Sequence, residues 1–395
     1  MRKNLTLALA AGLTMGTAAH AEVEIGVINS LSGAFSAFGD RYLTGMEVAL
    51  DEINANGGIN GEDLTLNIQD DRSEAQSALA AVESLDNAGV PMVIGSYASS
   101  ITGPMAQIMT RQEIPLLVLG SADDSITKPG SPWVFRAKHN STIVAGAYFD
   151  YFDWLRETKD EELKTIAIIS GNGAWPTSLA EKGEMLAEER GYEVVGRQAY
   201  DQGVTDFRPI LNRFIGENEP DILYMISYAE DGVALTRQIS EVGLNAKVIA
   251  MDTSAALTSY IDQVGDLAEY VVTAVSWSKD VQYEGAQDLY GRLKDAAGAE
   301  PSFYEAEGYL ALTVAADALR RAGSTDRTAV RDALKATDLD TSVTSVKFED
   351  EGEFQNQNPI RSLILQIQDG GHVTVYPADL AAEEVRFPNP AWDAR

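Results

Sequence analysis

The sequence predicts an α/β protein built from two doubly wound lobes. Short apolar segments with strand character alternate with segments of helical periodicity, a pattern typical of parallel sheets covered by helices on both faces. The alternation runs through two successive series, over residues 23–155 and 165–251. At 395 residues the chain also exceeds the length that one hydrophobic core normally serves.

The first series begins with an apolar strand over 23–29 and a Gly/Ser loop over 30–39. A helix over 40–56 follows, because apolar residues recur at helical spacing before the C-cap and turn signal Asn56-Gly57-Gly58. The remaining predicted elements of this series are strand 64–69, helix 73–88 with Ser73 as N-cap, strand 92–95, helix 100–112, strand 114–119 and helix 143–155.

The same criteria give the second series and a less regular C-terminal part. The second series comprises strand 165–170, helix 177–190, strand 193–199, helix 206–215, strand 222–226, helix 231–242 and strand 247–251. The C-terminal part comprises strand 270–275, helices 283–297, 304–321 and 328–336, and antiparallel strands 343–348, 362–368 and 372–376. No stretch has the composition of a flexible linker, so we expect several short crossings between the lobes.

The first 21 residues have the layout of an export signal. Arg2 and Lys3 precede an apolar stretch over 5–19, and Ala19-His20-Ala21 is an A-x-A cleavage pattern. The apolar stretch is shorter than the roughly 20 residues that span a bilayer. We therefore expect a cleaved signal peptide over 1–21 and a mature periplasmic chain from Glu22.

Charge and residue composition argue against several classes of function. The signal holds two of the 30 basic residues and none of the 60 acidic ones, so the mature chain carries 28 against 60, a formal charge of −32. Such a surface repels nucleic-acid phosphates and anionic membranes.

The chain has no cysteine, which excludes disulfides, thiol catalysis and Cys-ligated zinc. Only His139 and His372 follow the signal, and no G-x-S-x-G motif occurs, so we expect no catalytic residue.

Ligands of doubly wound sheets bind beyond the carboxyl ends of the strands. One such loop contains Tyr97, Ala98, Ser99 and Ser100, immediately before a predicted helix. Helix N–H groups and a serine hydroxyl there are suited to a carboxylate. The alternative is that Ser99 or Ser100 only caps its own helix.

Two further strand ends carry acids. Ser121, Ala122 and Asp123 follow one strand, and Asp252 follows another. The carboxylates of Asp123 and Asp252 are suited to an ammonium group. The alternative is a solvated loop or an N-cap. Aromatic residues stand in comparable loops at Phe38, Trp175 and Tyr228, where they would line an apolar pocket or cover a cation, unless they are simply core. Gly171-Asn172-Gly173 lacks the third glycine of a dinucleotide fingerprint, and no spacing suits a metal, so we expect no cofactor.

Several blocks together resemble a known family. They are Ile25-Gly26-Val27, Leu31-Ser32-Gly33, Phe38-Gly39-Asp40, Gly45 with 49–54, Gly57 to Gly61, Asp70-Asp71, and Val93-Ile94-Gly95 with Ser99. In combination they are similar to type I periplasmic solute-binding proteins of the branched-chain amino acid ABC transporter class, the leucine/isoleucine/valine-binding proteins.

The resemblance implies a Venus-flytrap fold with three hinge crossings, which we place near 138–141, 273–277 and 345–362. The N-terminal lobe would then comprise 22–139 plus 276–345. The C-terminal lobe would comprise 140–275 plus 346–395.

The resemblance also implies roles for individual residues. Ser99 and nearby backbone N–H groups would hold a ligand carboxylate, and the loop from Ser121 to Asp123 and Asp252 would hold the ammonium group. The aromatic residues Phe38, Trp175, Tyr228 and Tyr309 would line the cleft. Family members commonly have threonine where Asp123 stands, so the added charge favours a more cationic ligand than leucine.

The expected function is that of a non-catalytic, monomeric receptor. It would capture an amino acid or a related small amine-bearing carboxylate and deliver it to an ABC permease in the inner membrane. Three alternatives remain: a ligand-sensing subunit of a signalling system, a binder of an amide or aromatic carboxylate, and an exported hydrolase, which the missing nucleophile–base pair disfavours.

Overall fold

The computed structural model describes residues 22–128, 130–216 and 219–394; the predicted signal peptide lies outside them. Sixteen strands occur within these ranges: β1 (Glu22–Asn29), β2 (Asp63–Asp70), β3 (Val93–Gly95), β4 (Leu116–Val118), β5 (Val134–Arg136), β6 (Thr165–Gly171), β7 (Glu193–Tyr200), β8 (Ile222–Ser227), β9 (Val248–Thr253), β10 (Val272–Val275), β11 (Asp338–Asp340), β12 (Ser345–Lys347), β13 (Glu349–Glu351), β14 (Phe354–Gln357), β15 (Leu363–Gln368) and β16 (Gly371–Tyr376).

Eleven α-helices connect the strands of the described residues. They are α1 (Ser36–Ala55), α2 (Ala75–Ala88), α3 (Ser99–Arg111), α4 (Ser141–Thr158), α5 (Ala174–Glu189), α6 (Arg208–Leu211), α7 (Ala229–Val242), α8 (Thr258–Val264), α9 (Ala286–Ala297), α10 (Phe303–Ala322) and α11 (Arg327–Lys335). None of these helices is both long and apolar enough to cross a bilayer.

Fourteen of these strands form two seven-stranded sheets, one in each lobe, and β11 and β12 form a two-stranded antiparallel sheet. The first has the order β13-β14-β5-β4-β3-β1-β2 and the second the order β16-β15-β10-β9-β8-β6-β7. The five strands nearest the β2 or β7 edge are parallel and share the order 2-1-3-4-5, with helices crossing between them. The prediction of two doubly wound α/β lobes is confirmed.

The third crossing lies within the predicted range 345–362, but the boundary between the lobes comes later than the predicted one at 345/346. Residues 346–395 were expected in the second lobe, but β14 pairs with β5 through Gln357 and Arg136, which places β13 and β14 in the first sheet. Residues 358–362 then lead into β15, which pairs antiparallel with β10 of the second sheet. Two short strands joined by a turn give too weak a local signal to reveal this pairing in advance.

Helices α1 and α10 pack closely because glycines face backbone at their contact. A Cβ on Gly45 would lie 1.8 Å from the carbonyl oxygen of Glu305, and one on Gly308 would lie 2.1 Å from that of Tyr42. The same α1 surface buries Met46 and Ile53 at helical spacing. This contact fixes the start of α10 next to the carboxyl ends of the first sheet.

One helix is shorter than its periodicity indicates. A helix is predicted over 206–215, but α6 covers only Arg208–Leu211 and tightens into a 3₁₀ turn over Asn212–Phe214. Pro209 lies in the first turn of α6, where its missing N–H is tolerated. A single turn followed by a 3₁₀ segment satisfies the same apolar spacing at Phe207, Leu211 and Phe214, all of which are buried.

Candidate functional site

A small cavity lies between the lobes at the carboxyl ends of both sheets. Residues from the first lobe, the second lobe and the first crossing line it: Tyr97, Ala98, Ser99, Gly120, Ala122, Lys138, His139, Val144, Trp175, Tyr228, Asp252, Thr253, Ala274, Phe303 and Tyr304. Its volume is about 30 Å³. A water molecule needs roughly 10–15 Å³ by the same measure, so this space holds about two waters. A solute of amino-acid size therefore requires the lobes to separate before it can enter.

The lobes are in direct contact around this cavity. The rings of Phe35 in the first lobe and Tyr228 in the second lie 5.1 Å apart between centroids. At the rim, the Asp124 N–H donates to Ser178 Oγ at 3.4 Å, and Lys182 Nζ lies 3.8 Å from Asp124 Oδ2. The structure is thus a closed arrangement of the two lobes.

The first lobe presents a helix start and a hydroxyl to the cavity. α3 begins at Ser99, and the N–H groups of Ser99 and Ser100 precede the first helical bonds, which Ile101 and Thr102 donate to the Ala98 carbonyl. Ser99 does not cap its own helix; its Oγ accepts a hydrogen bond from the Asp123 N–H at 3.1 Å. The hydroxyl proton of Ser99 consequently remains available for an acceptor on a ligand.

The loop after β4 is held rigidly against this helix start. Ser121 Oγ lies within hydrogen-bond distance of the Tyr97 carbonyl (3.0 Å) and of Thr102 Oγ1 (2.6 Å). Arg136, which is fully buried, donates from Nη1 to the Asp123 carbonyl at 2.7 Å. Because the hydroxyl of Ser121 is engaged inside the first lobe, this residue shapes the loop and does not reach the cavity.

The second lobe contributes a buried carboxylate. Asp252 is the next-to-last residue of β9 and is 6% exposed. Its Oδ1 accepts a hydrogen bond from Thr253 Oγ1 at 3.1 Å, whereas Oδ2 has no hydrogen-bond partner among the described residues. Burial raises the pKa of Asp252 to about 6, although Thr253, Tyr148 and the charge of Lys138 act in the opposite direction. An unpaired buried carboxylate oxygen is costly unless a donor or a cation reaches it.

Lys138 and His139 lie where the first crossing passes the cavity. Lys138 Nζ donates to the Gly120 carbonyl at 2.9 Å and lies 3.3 Å from Glu307 Oε2. His139 Nδ1 lies 3.0 Å from the Oγ of Ser362, a residue of the third crossing. Burial lowers the pKa of His139 well below its usual value, and the nearby charges of Lys138 and Arg136 lower it further, so its ring is neutral.

The structure places seven of the twelve sequence-predicted site residues in the lining of this cavity. They are Tyr97, Ala98, Ser99, Ala122, Trp175, Tyr228 and Asp252. The structure does not bring the other five to the cavity surface. Phe38 lies directly behind it, stacked on Tyr97 with centroids 4.4 Å apart, and Ser121 is bonded inside the first lobe as described above.

The remaining three residues lie farther out. Ser100 is exposed. Asp123 accepts from the Ser125 N–H and from Ser125 Oγ, both at 2.9 Å, so its carboxylate caps a 3₁₀ turn at the cleft rim and does not add charge to the cavity. Tyr309 donates to Glu52 Oε2 at 2.6 Å in the contact between α1 and α10. The expectation that the pocket favours a more cationic ligand than leucine therefore loses its support from Asp123.

Phe303 and Tyr304 are the lining residues that sequence reasoning missed most clearly. They start α10, where Ser302 and Glu305 form a capping box. That S-x-x-E pattern is visible in the sequence and marks a helix start. The start of α10 reaches the cavity because the second crossing returns the chain to the first lobe. No local sequence pattern shows this return.

Comparison with known proteins agrees with this architecture. The family model described as "Periplasmic binding protein" matches residues 22–371. The chain is 29% identical over 404 residues to Leu/Ile/Val-binding protein homolog 7 of Brucella abortus (strain 2308), covering 98% of this chain and 100% of the relative. It is 27% identical over 359 residues to Leu/Ile/Val-binding protein BraC3 of Rhizobium johnstonii, covering 90% and 95%.

Solved structures share the fold. The Streptococcus pneumoniae branched-chain amino acid transporter substrate binding protein LivJ, in complex with isoleucine, superposes with a TM-score of 0.79 at 20% identity, covering 93% of this chain and 100% of LivJ. The leucine binding protein LivK of Thermotoga maritima gives 0.80 at 22%, covering 91% and 100%. Because the family model spans most of the chain, which folds into the two lobes described above, the protein belongs to the periplasmic binding protein family.

Proposed function

We propose that the chain captures an amino acid or a related small amine-bearing carboxylate between its lobes in the periplasm and delivers it to an inner-membrane ABC permease. The relatives named above are called Leu/Ile/Val-binding proteins, and LivJ holds isoleucine, which supports this solute class. The chain acts as a monomer, and the export signal over 1–21 brings it to the periplasm.

One observation carries the proposal: Ser99 and Asp252 line the same cavity from different lobes. The start of α3 and the Ser99 hydroxyl suit a carboxylate, and the free Oδ2 of Asp252 suits an ammonium group. A zwitterion that touches both groups stabilises the closed arrangement, because only that arrangement offers both contacts. Closure then signals occupancy to the permease.

The site binds without changing the solute. His139, the cavity residue most suited to acid–base chemistry, is engaged with Ser362 of the third crossing. Ser99 Oγ accepts from the Asp123 backbone and not from an imidazole or a lysine that would activate it. Both residues therefore serve binding and closure.

A thermal-shift screen of the purified mature chain tests the proposal. The panel contains amino acids, amines, amides and aromatic acids. A ligand at 100 times its dissociation constant stabilises the folded chain by about 2.7 kcal/mol, which raises the melting temperature measurably. We expect stabilisation by at least one α-amino or α-ammonio carboxylate. Stabilisation by amides or aromatic acids alone would contradict the proposed solute class, and no response across the panel would contradict the proposal as a whole.

A further inference from the structure

The wall of the interlobe cavity is mostly aromatic. Tyr97, Trp175, Tyr228, Phe303 and Tyr304 all line it. Neighbouring rings stand at steep angles to one another: Trp175 and Tyr228 at 55°, Tyr97 and Tyr228 at 62°, and Tyr97 and Tyr304 at 71°, with centroids 5.1, 6.4 and 6.2 Å apart. These rings surround the small cavity from several sides, and they come from both lobes.

Aliphatic side chains are scarce in the same wall. Val144 is the only branched aliphatic residue of the lining, and the other aliphatic members are alanines: Ala98, Ala122 and Ala274. A leucine or isoleucine side chain is held best where methyl groups interdigitate with it. The lining supplies few such methyl groups, and most of its apolar surface is aromatic.

One carboxylate oxygen at the cavity has no hydrogen-bond partner among the described residues. Lys138 is the only cationic side chain of the lining, and it is already held by Glu307 and the Gly120 carbonyl. Asp252 is buried, and its Oδ2 is the oxygen without a partner. A positive charge on the ligand would complete this arrangement.

We infer that the cavity selects small zwitterions whose cationic nitrogen is methylated, the betaine class, over primary amino acids with branched aliphatic side chains. A primary ammonium group carries three N–H donors that each need an acceptor once buried. A trimethylated nitrogen carries none, is weakly hydrated, and is attracted by the faces of aromatic rings and by a nearby carboxylate. The inference rests on the proposed function, because it assigns the ligand class of the same site.

Isothermal titration of the purified mature chain with three probes tests the inference. The probes are trimethylammonioacetate, its neutral-headed isostere 3,3-dimethylbutanoate, and leucine. The first two share shape and carboxylate and differ only in the charge of the head group. We expect trimethylammonioacetate to bind at least tenfold more tightly than either of the others.

Ring-to-aliphatic variants provide the matched control. Trp175→Leu and Tyr228→Leu keep an apolar wall but remove a ring, and each should reduce the preference for trimethylammonioacetate over its isostere at least fivefold. Tyr283→Leu changes an exposed tyrosine and should leave that preference unchanged. A melting temperature for each variant shows whether it is folded.

The outcomes separate the two proposals. Tighter binding of leucine than of trimethylammonioacetate overturns the inference and leaves the proposed function standing. Equal binding of trimethylammonioacetate and its isostere also overturns the inference, because the positive charge then plays no part. Failure of every amino acid and betaine to bind overturns the proposed function and the inference with it.

Discussion

Lys138 Nζ lies 3.3 Å from Glu307 Oε2, and both side chains are buried where the first crossing leaves the first lobe. Glu307 also accepts hydrogen bonds from Tyr42 at Oε2 (2.8 Å) and from Ser276 at Oε1 (2.7 Å). Ser276 immediately follows β10, at the start of the second crossing. One carboxylate on α10 thus connects two of the three crossings, and the pairing of His139 with Ser362 connects the first to the third.

Replacing Glu307 by glutamine should destabilise the fold strongly. The variant keeps the shape of the side chain but leaves Lys138 buried without an opposite charge, a change that typically costs about 3–5 kcal/mol of unfolding free energy. Urea denaturation measures the loss. Glu349→Gln is the control, because its partner Lys347 is exposed, and it should change stability by less than about 0.5 kcal/mol.

The double variant Lys138→Met/Glu307→Gln should recover part of that stability, since it removes the unpaired charge. Equal destabilisation by Glu307→Gln and Glu349→Gln would show that the buried pair has no special role.

Removing either end of the proposed ligand contact should weaken binding. Ser99→Ala and Asp252→Ala should each reduce the affinity for the best ligand of the screen by about 1–3 kcal/mol, the range for losing a hydrogen bond to a charged group. Isothermal titration provides the measurement. Tyr309→Phe, which removes a hydroxyl bonded to Glu52 away from the cavity, should leave affinity unchanged while lowering stability by about 1 kcal/mol. Wild-type affinity in both site variants would remove the site assignment.

The raised pKa of Asp252 predicts a specific pH dependence of stability. The groups acting on this carboxylate are Thr253, Lys138, Tyr148, Tyr224 and Tyr304. Its pKa is about 6 in the folded chain against 3.8 ordinarily, so between these values the folded state binds more protons than the unfolded state. Stability contributed by the neutral form is therefore present below about pH 4 and is lost as the pH rises through about 6.

Comparison with Asp252→Asn isolates this contribution. We expect the stability of the wild type relative to Asp252→Asn to fall by about 2.4 kcal/mol between pH 4 and pH 7, because a pKa shift from 3.8 to about 6 is linked to about 3 kcal/mol in all, part of which is already lost at pH 4. Denaturation curves at several pH values measure it in the absence of ligand. A difference that stays constant across this range would contradict the raised pKa.

Lys182 should favour the closed arrangement. It lies on α5 of the second lobe, and its Nζ is 3.8 Å from Asp124 Oδ2 and 4.0 Å from Glu353 Oε1, both in the first lobe. Replacing Lys182 by methionine should shift the population towards larger interlobe distances. The free energy of the closed arrangement relative to the open one should rise by up to about 1 kcal/mol, the range for such partly exposed ion pairs. High salt should shift the wild type in the same direction.

Spin labels at Gln112→Cys and Glu188→Cys, both exposed and on different lobes, would report this distance by electron double resonance. The absence of native cysteine makes such labelling unambiguous. Lys164→Met, which affects only an exposed pair within the second lobe, should leave the distance distribution unchanged. Identical distributions for Lys182→Met and the wild type would show that these ion pairs do not influence closure.

The glycine at the contact of α1 and α10 should not tolerate a side chain. Gly308→Ala would place a Cβ 2.1 Å from the Tyr42 carbonyl oxygen, which forces the two helices apart. We expect a loss of about 1–3 kcal/mol, measured by urea denaturation. Gly103→Ala, inside α3 with open space around it, should instead leave stability unchanged or raise it by about 0.5–1 kcal/mol. Equal effects of the two substitutions would argue against close packing at this contact.

Local sequence patterns were sufficient to predict the fold class and about half of the residues that line the cavity. Strand and helix periodicities are set by neighbours in the chain, and in a doubly wound sheet the loops that follow parallel strands meet at one edge. That rule alone brought Ser99, Trp175, Tyr228 and Asp252 to a common site. It requires only that the strands be recognised.

Which distant segments meet was decided by tertiary structure alone. β14 joins the first sheet through one pairing with β5. α10 brings Tyr304 to the cavity only because the chain crosses back to the first lobe. Tyr309, one turn and a half further along α10, contacts Glu52 instead. The Asp123 carboxylate accepts a hydrogen bond from Ser125, whereas Oδ2 of Asp252 has no hydrogen-bond partner among the described residues. These outcomes depend on contacts between residues far apart in the chain, whose packing and burial are not encoded in the periodicity of any single segment.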